Sequence, residues 1–155
     1  RDLLQLVEDD HVVAELLKNG DEPVRFNEAA VREKYGLSPE QIPDLKGLTG
    51  DVSDNIPGVA GIGEKTAIPL LQEWGSVEGV YENVVIINPK IAKKLEGQQE
   101  VALLSKKLAT IECNAPLFLD SLADVRAIPL DKPALTDYFT KLGFASLLRR
   151  LEQTL

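Results

Sequence analysis

The sequence predicts a mainly α-helical protein with one small β-hairpin near its N-terminus. From residue 27 onward, most of the 155 residues fall into short amphipathic segments that begin at a typical capping residue. Before that point, His11–Leu16 and Val24–Phe26 have the composition of two strands, and Asn19-Gly20 between them is typical of a tight hairpin turn. Hydrophobic residues make up 44% of the chain, which suits a globular core.

The first two helices are predicted from their capping residues. Asn27 is a suitable N-cap for a helix over residues 28–35, and Gly36 is suited to end it. Ser38–Gln41 has Ser at the N-cap, Pro at the first helical position and Gln at the third, which together form a capping box. The helix that follows is expected to end near Leu48.

A third helix is predicted from Glu64 to Trp74, with Gly75 ending it. Its apolar residues recur with helical spacing and define one buried face: Ala67, Leu70, Leu71 and Trp74. Pro69 lies inside this segment, where it removes one internal hydrogen bond and favours a kink.

Further helices are predicted at residues 77–83, 90–95, 98–108, 132–142 and 145–151. In the third of these, Val101, Leu104 and Leu108 are expected to face the core, with the lysines facing outward. A short extended piece is expected at residues 109–113.

The charge is distributed unevenly along the chain, whose formal net charge is −8. Residues 1–22 contain seven acidic and two basic residues, whereas residues 90–107 contain five lysines and two glutamates. A nucleic-acid-binding protein usually carries a basic surface, and the lysine-rich segment is the candidate for one. A solvated helix face is the alternative interpretation of these lysines.

Single residues of two types limit the possible chemistry. Cys113 is the only cysteine, so it excludes an internal disulfide framework and is predicted to be a small, partly buried residue in a reducing compartment. His11 is the only histidine and is assigned a structural role, because it has no partner at metal-ligand spacing. No apolar run approaches the ~20 residues that span a membrane, so no membrane association is expected.

A Gly-Ile-Gly turn precedes the helix that begins near Glu64. Gly61 and Gly63 lack a Cβ, so the backbone can turn sharply and approach another surface closely. The first helical turn offers unpaired N–H groups and the positive end of the helix dipole, to which Lys65 adds a cation. Ile62 can point inward and hold the turn to the core. The arrangement is suited to holding a nucleic-acid phosphate without base contacts, and an ordinary helix–helix turn is the alternative.

Two carboxylates, Asp51 and Asp54, lie three residues apart just before this turn. If the segment is helical, both side chains can face one point. Close carboxylates repel each other unless a cation lies between them, and a hard ion such as Mg2+ suits such a pair. The alternative is a turn in which both side chains cap local N–H groups.

The two features together resemble a known family. Residues 50–67, GDVSDNIPGVAGIGEKTA, resemble the 5′-nuclease family, and most closely the 5′→3′ exonuclease domain of bacterial DNA polymerase I. The likeness continues through LLQEWGS at residues 70–76 and LLSKKLATI at residues 103–111. It covers nearly the whole chain, which corresponds to the second half of the family's domain.

The resemblance implies a fold and its division. The fold implied is the helix–hairpin–helix (SAM-like) C-terminal subdomain of an α/β 5′-nuclease of the PIN-like type. Residues 1–26 would be the end of the catalytic α/β subdomain, and residues 27–155 the helical DNA-binding subdomain. The first half of the nuclease domain would be a further partner, and a polymerase domain could follow.

The resemblance also implies the site residues. Asp51 and Asp54 match aspartates that bind one of two catalytic Mg2+ or Mn2+ ions, and Asp2 matches an aspartate in an Asp-x-Asp pattern of the family. The residues that would bind DNA are those of the hairpin: Gly61, Ile62, Gly63, Glu64, Lys65 and Thr66. Backbone carbonyls hold K+ in some relatives, and Val59 and Ile62 match that region.

The function implied is two-metal hydrolysis of DNA phosphodiesters at a nick, flap or 5′ end, in the cytoplasm at the bacterial nucleoid. This half of the domain is expected to supply one metal site and the duplex-binding hairpin, and to be inactive alone. The alternative is a non-catalytic module that binds DNA independently of sequence, which would need the hairpin and the lysines but not the aspartates.

Overall fold

The computed structural model describes residues 2–9, 11–16, 23–117, 121–126 and 129–153. Within these ranges the strands are β1 (Ala14–Leu16) and β2 (Val24–Phe26). The α-helices are α1 (Glu28–Tyr35), α2 (Ile42–Thr49), α3 (Glu64–Trp74), α4 (Val77–Glu82), α5 (Pro89–Leu95), α6 (Gln99–Ala109), α7 (Lys132–Lys141) and α8 (Ala145–Gln153). Short 3-10 helices lie at Asp2–Leu6, Pro39–Gln41, Val52–Asp54 and Leu122–Val125.

The predicted class, mainly helical with a small antiparallel hairpin, is confirmed. β1 pairs with β2 so that Ala14 lies opposite Phe26 and Leu16 opposite Val24. The first strand is shorter than predicted, because Val12 pairs back with Glu8 through hydrogen bonds of 2.9 and 3.1 Å. The predicted turn at Asn19-Gly20 lies outside the described residues.

The chain divides into two compact units, residues 1–113 and residues 114–155. The predicted boundary at residues 26 and 27 concerns the parts of a larger nuclease fold, and it stays a prediction. In the part of the chain that the structure describes, no helix is long and apolar enough to cross a membrane.

The first unit has two hydrophobic clusters. The smaller surrounds the hairpin and consists of Leu4, Val7, Ala14, Phe26, Val31 and Ile42. The larger gathers residues of α2, α3, α4, α5 and α6, among them Leu48, Leu71, Val77, Val80, Leu95 and Ala102. Tyr35 packs against both clusters and so connects the hairpin to the helical part.

The predicted caps that open this unit are present. The Asn27 side chain accepts a hydrogen bond from the Ala30 N–H at 2.9 Å. The Ser38 N–H donates to Gln41 Oε1 at 3.1 Å, which closes the predicted capping box. The box opens the 3-10 turn at Pro39–Gln41, and α2 continues from it.

α3 has the predicted ends and the predicted buried face. Ala67, Leu70 and Leu71 are buried, and Trp74 packs against the same cluster. Pro69 is exposed, and the helix continues through it.

The predicted inward face of α6 is wrong. Val101, Leu104 and Leu108 are 36%, 51% and 57% exposed, while the small residues of the helix are the buried ones: Ala102, Ser105 and Ala109. The cause is the close approach of α2. A Cβ added to Gly47 would lie 2.9 Å from Lys106 Cβ and 3.1 Å from the Ala102 carbonyl oxygen, so only small side chains fit between the two helices.

Cys113 is exposed, contrary to the prediction that it is partly buried. α6 ends at Ala109, one residue later than predicted, and Thr110 after it has extended backbone angles of φ −78° and ψ 127°. Residues 112–117 are all exposed. His11 is exposed as well, in the turn between Glu8 and Val12.

The second unit contains α7 and α8. Asp131 caps α7 as predicted, because its carboxylate accepts from the Ala134 N–H at 3.0 Å. Phe139 contacts Tyr138 and Phe144 with ring centroids 6.2 and 6.3 Å apart. None of the described residues in these two helices is buried.

A partly buried set of ion pairs connects three helices of the first unit: Asp44 is buried, Lys106 is half-buried and Glu78 is exposed. Lys106 Nζ of α6 lies 2.7 Å from Asp44 Oδ1 of α2 and 2.7 Å from Glu78 Oε2 of α4. Asp44 also accepts from the Val77 N–H at 2.8 Å. Burial alone would lower the pKa of Lys106, but hydrogen bonds from its ammonium to the two carboxylates raise that pKa above its usual value.

Lys106→Met should therefore lower the free energy of unfolding by about 3 kcal/mol, because it leaves Asp44, only 5% exposed, as an unpaired buried charge. Urea denaturation followed by far-UV circular dichroism measures the change. The control is Lys107→Met, which removes an exposed lysine from the same helix and should change the free energy by less than ~0.5 kcal/mol. Equal losses in the two variants would contradict the assignment.

Candidate metal and nucleic-acid site

Residues 50–58 form a loop that carries Asp51 and Asp54, called the acidic loop below. Two glycines whose backbones are in contact close it. Gly50 and Gly58 have φ values of 72° and 63°, which favour glycine. A Cβ on Gly58 would lie only 2.1 Å from the Gly50 nitrogen. Inside this contact, Asp51 and Ile56 exchange backbone hydrogen bonds of 2.9 and 2.8 Å. These contacts hold the loop between the glycines in a compact conformation, which places the side chains of residues 51–54.

Ser105 fixes the far end of the loop. Its side chain is fully buried, and its hydroxyl oxygen accepts from the Gly58 N–H at 3.0 Å. The Val59 N–H donates to the Leu48 carbonyl at 2.9 Å, which ties the chain back to α2 immediately after the loop. Sequence reasoning assigned no role to Ser105, although the residue lies in the segment LLSKKLATI that resembles the family.

Three carboxylates meet beside the loop. One side-chain oxygen from each of Asp2, Asp51 and Asp54 lies within 4.8 Å of the others. Asp2 comes from the 3-10 helix at the start of the chain and Asp54 from the 3-10 turn that follows Asp51. The structure thus brings together all three residues that the resemblance implied.

Asp51 uses its two oxygens differently. Oδ1 accepts from the Ser53 N–H at 2.9 Å and from the Ser53 hydroxyl at 2.5 Å. The local capping considered as the alternative to ion binding is therefore present, and it occupies only one oxygen. Oδ2 faces a cation, the Lys46 ammonium, at 2.8 Å.

Lys46 is a buried lysine at the edge of the carboxylate cluster. It is 8% exposed, and its Nζ contacts Asp2 Oδ1 as well as Asp51 Oδ2. Hydrogen bonds first from Lys46 and then from Ser53 hold the pKa of Asp51 well below its usual value, against the opposing effect of burial. Sequence reasoning missed Lys46. Its signal was that it is the one basic residue in the mostly apolar helix α2.

The glycine hairpin, residues 59–63, is a separate feature from the β-hairpin and is anchored through its apolar residues. Val59 and Ile62 are 3% and 4% exposed, so the predicted inward position of Ile62 is confirmed. The Ile62 N–H donates to the Val59 carbonyl at 3.1 Å. On the outer side, Lys94 Nζ of α5 donates to the Gly61 carbonyl at 2.9 Å, and Gln98 Oε1 accepts from the Ala60 N–H at 3.0 Å.

The two glycines of the hairpin differ. Gly61 has a left-handed φ of 80°. Gly63 has an ordinary φ of −111° and nothing within 4 Å of the position where a Cβ would lie. Gly63 is thus not required for the turn, and a side chain there would project into open space.

The start of α3 has the features predicted for phosphate binding. Within the described ranges, no acceptor is found for the backbone N–H groups of Gly63, Glu64 and Lys65. Lys65 is exposed and Thr66 is half-buried. Glu64 and Asp51 border the same cavity of about 190 Å³, so the hairpin helix and the acidic loop adjoin.

These features define a helical unit of the helix–hairpin–helix class with a carboxylate cluster beside the hairpin. The family model for "5′-3′ exonuclease, C-terminal SAM fold" matches residues 37–133. The chain belongs to this 5′–3′ exonuclease family, and the resemblance found from its motifs is confirmed.

Two relatives are DNA polymerases. The chain is 49% identical over 154 residues to DNA polymerase I of Bacillus caldotenax, with 98% of this chain and 17% of that protein covered. It is 44% identical over 153 residues to DNA polymerase I of Caldicellulosiruptor bescii, with 97% and 18% covered. The chain therefore spans less than one fifth of the length of these relatives.

A solved structure agrees with the fold. T5 5′-exonuclease, whose structure was determined with bound zinc, superposes with a TM-score of 0.61 at 24% identity. The match covers 70% of this chain and 39% of the T5 chain.

Gly58→Ala should disrupt the acidic loop, because the added Cβ would meet the backbone of Gly50. We expect the free energy of unfolding to fall by about 3 kcal/mol. Urea denaturation followed by the fluorescence of Trp74, the only tryptophan, measures the loss.

The control is Gly63→Ala, which adds the same methyl group where nothing lies within 4 Å. Its effect should stay below ~0.5 kcal/mol. A Gly58→Ala protein as stable as this control would mean that the contact between the two glycine backbones is not needed to close the loop.

Proposed function

We propose that this chain is part of a structure-specific 5′→3′ exonuclease or flap endonuclease, which hydrolyses DNA phosphodiesters in replication and repair. The supporting observation is a three-carboxylate cluster and an exposed glycine hairpin within one compact unit of a 5′–3′ exonuclease family member. The chain contributes one metal site and the surface that holds the duplex. A DNA-binding module without catalysis would not need the carboxylates.

Asp2, Asp51 and Asp54 would hold a divalent ion, Mg2+ or Mn2+. The donor set fits such an ion, because its oxygens are hard ligands within 4.8 Å of one another and a lysine ammonium already lies between two of them. A bound ion supplies Lewis-acid polarisation of the phosphodiester and a more acidic water. Two ions need more ligands than these three residues, so the chain alone would not cleave DNA.

The hairpin would hold the DNA backbone. The N–H groups of Gly63, Glu64 and Lys65 donate to no acceptor among the described residues, and Lys65 adds a positive charge. Such contacts do not involve bases, so binding would be independent of sequence. The carbonyl oxygens of Val59 and Ile62 would coordinate a K+ ion that stiffens the turn.

The DNA substrate would be a duplex with a nick, a flap or a 5′ end. The partners within the same protein would be the first half of the nuclease domain and a downstream polymerase domain, as in the DNA polymerase I relatives. The place of action would be the bacterial cytoplasm, at the nucleoid.

The metal site is tested by titrating the chain with Mn2+ and measuring free Mn2+ by electron paramagnetic resonance. The parent should bind weakly, and the double variant Asp51→Asn with Asp54→Asn should bind at least about tenfold more weakly. The matched control replaces Asp124 and Asp131, in the other compact unit, by Asn. Unchanged binding in the Asp51 and Asp54 variant would reject the metal assignment.

The DNA surface is tested by fluorescence anisotropy with a labelled duplex over a salt series. Gly63→Val should weaken binding by roughly fivefold or more, because the side chain blocks the approach of a phosphate to the free N–H groups. Lys65→Ala should reduce the slope of log affinity against log salt by about one.

Because Gly63 has an ordinary φ and open space around it, Gly63→Val should keep the parent's stability, which denaturation checks. A stable Gly63→Val protein that binds DNA as tightly as the parent would exclude the hairpin. Lys93→Ala serves as the rival variant: if it alone weakens binding, the lysines of α5 are the contact surface.

A further inference from the structure

The three clustered carboxylates already have a cation among them. Asp2, Asp51 and Asp54 would repel one another at these distances if nothing lay between them. The Lys46 ammonium contacts Asp2 Oδ1 and lies 2.8 Å from Asp51 Oδ2. It therefore bridges two residues on different parts of the chain, at the position where a shared cation would lie.

We propose that Lys46 is a built-in counter-ion of this cluster, and that a divalent ion binds there by displacing the Lys46 ammonium. The inference rests on the proposed function, because it concerns the ion that the same carboxylates would hold. In the metal-free chain the lysine keeps the cluster together, and in the metal-bound chain its head group lies elsewhere.

Geometry makes the two cations exclusive at the bridging position. Asp2 and Asp51 would hold a divalent ion through carboxylate oxygens, and the Lys46 ammonium already contacts one such oxygen of each residue, Asp2 Oδ1 and Asp51 Oδ2. A lysine that stayed there would also place one positive charge within a few Å of two more, in a partly dry environment. The ion pair and the metal site thus use the same oxygens in two different states.

A buried lysine needs a new partner when it leaves, and the structure offers one. Lys46 borders the cavity of about 190 Å³ that is also lined by Tyr35, Thr49 and Glu64. The Tyr35 hydroxyl is buried and has no hydrogen-bond partner among the described residues. It can accept from the ammonium, and the Glu64 carboxylate at the start of α3 offers a charge.

The displaced lysine would therefore move toward the hairpin helix. Metal occupancy at Asp51 would then be coupled to a cation beside Glu64, at the first turn of α3. In the alternative, Lys46 stays bound to Asp51 both with and without the metal ion. Removing the lysine would then weaken metal binding.

Mn2+ titration of Lys46→Met distinguishes displacement of Lys46 from a fixed Lys46, because methionine resembles the aliphatic part of the lysine side chain but has no charge. Displacement predicts about tenfold tighter Mn2+ binding in Lys46→Met, together with a lower melting temperature of the metal-free protein and a larger rise on adding Mn2+. Lys93→Met, which removes an exposed lysine of α5, is the control and should bind Mn2+ as the parent does. Equal or weaker binding in Lys46→Met would overturn the inference.

The parent chain provides a second measurement that does not depend on the variant being folded. In 15N-labelled protein, the Lys46 ammonium resonance should move or broaden during a Mg2+ titration with the same midpoint as metal binding. A resonance that stays unchanged while Mg2+ binds would overturn the inference. The Asp51 and Asp54 double variant distinguishes the two failures: if it binds Mn2+ as well as the parent, the metal site itself is wrong.

Discussion

The backbone contact between Gly50 and Gly58 is the constraint on which the site depends. It brings the two ends of the acidic loop together without any side chain between them. The loop inside the contact places Asp51, and the chain that leaves it begins the hairpin, with Val59 bonded back to α2. Because both features start at the same closure, a shift in the loop would also move the hairpin. The proposed metal and DNA contacts would thus keep a fixed spacing.

Helix α2 carries two charged residues with different roles: Asp44 contributes to helix packing, and Lys46 contacts the carboxylate cluster. Asp44 and Lys46 are two residues apart, so their side chains point about 200° apart around the helix axis. Asp44 pairs with Lys106 and fixes α6, while Lys46 pairs with Asp2 and Asp51. Each buried charge has partners of opposite sign, which is the condition for keeping it buried. The Asp44–Lys106 pair thus stabilises the packing of α2, the helix that also carries Lys46.

Much of the fold was predictable because its signals are local. The caps at Asn27, Ser38 and Asp131 each depend on neighbouring residues, and so does the apolar face of α3. The inward face of α6 could not be predicted from spacing alone. Its apolar residues recur with helical period, but the close approach of Gly47 selects the small residues instead. That approach is a contact between residues about 55 positions apart.

The residues of the candidate site were likewise predictable where their signals are local and missed where they depend on contacts between distant parts of the chain. Asp51, Asp54 and the hairpin lie in one recognisable segment, and Asp2 was matched only through the family pattern. Lys46 and Ser105 were missed because each acts on the loop from another helix. A lysine in a mostly apolar helix and a serine at a core position are common in proteins without functional roles. Only the contacts in the folded chain identify their partners.

The lysine-rich segment at residues 90–107 does not form one uniform basic surface. Lys106 is engaged in ion pairs with Asp44 and Glu78, and Lys94 donates to the Gly61 carbonyl. Lys90 and Lys93 lie on the same helix as Lys94 and are exposed. A chain with a net charge of −8 thus still has exposed lysines on this helix, which the proposed DNA contact would use. Lys65 is exposed at the start of α3, and the bond from Lys94 to the Gly61 carbonyl connects α5 with the turn that precedes α3.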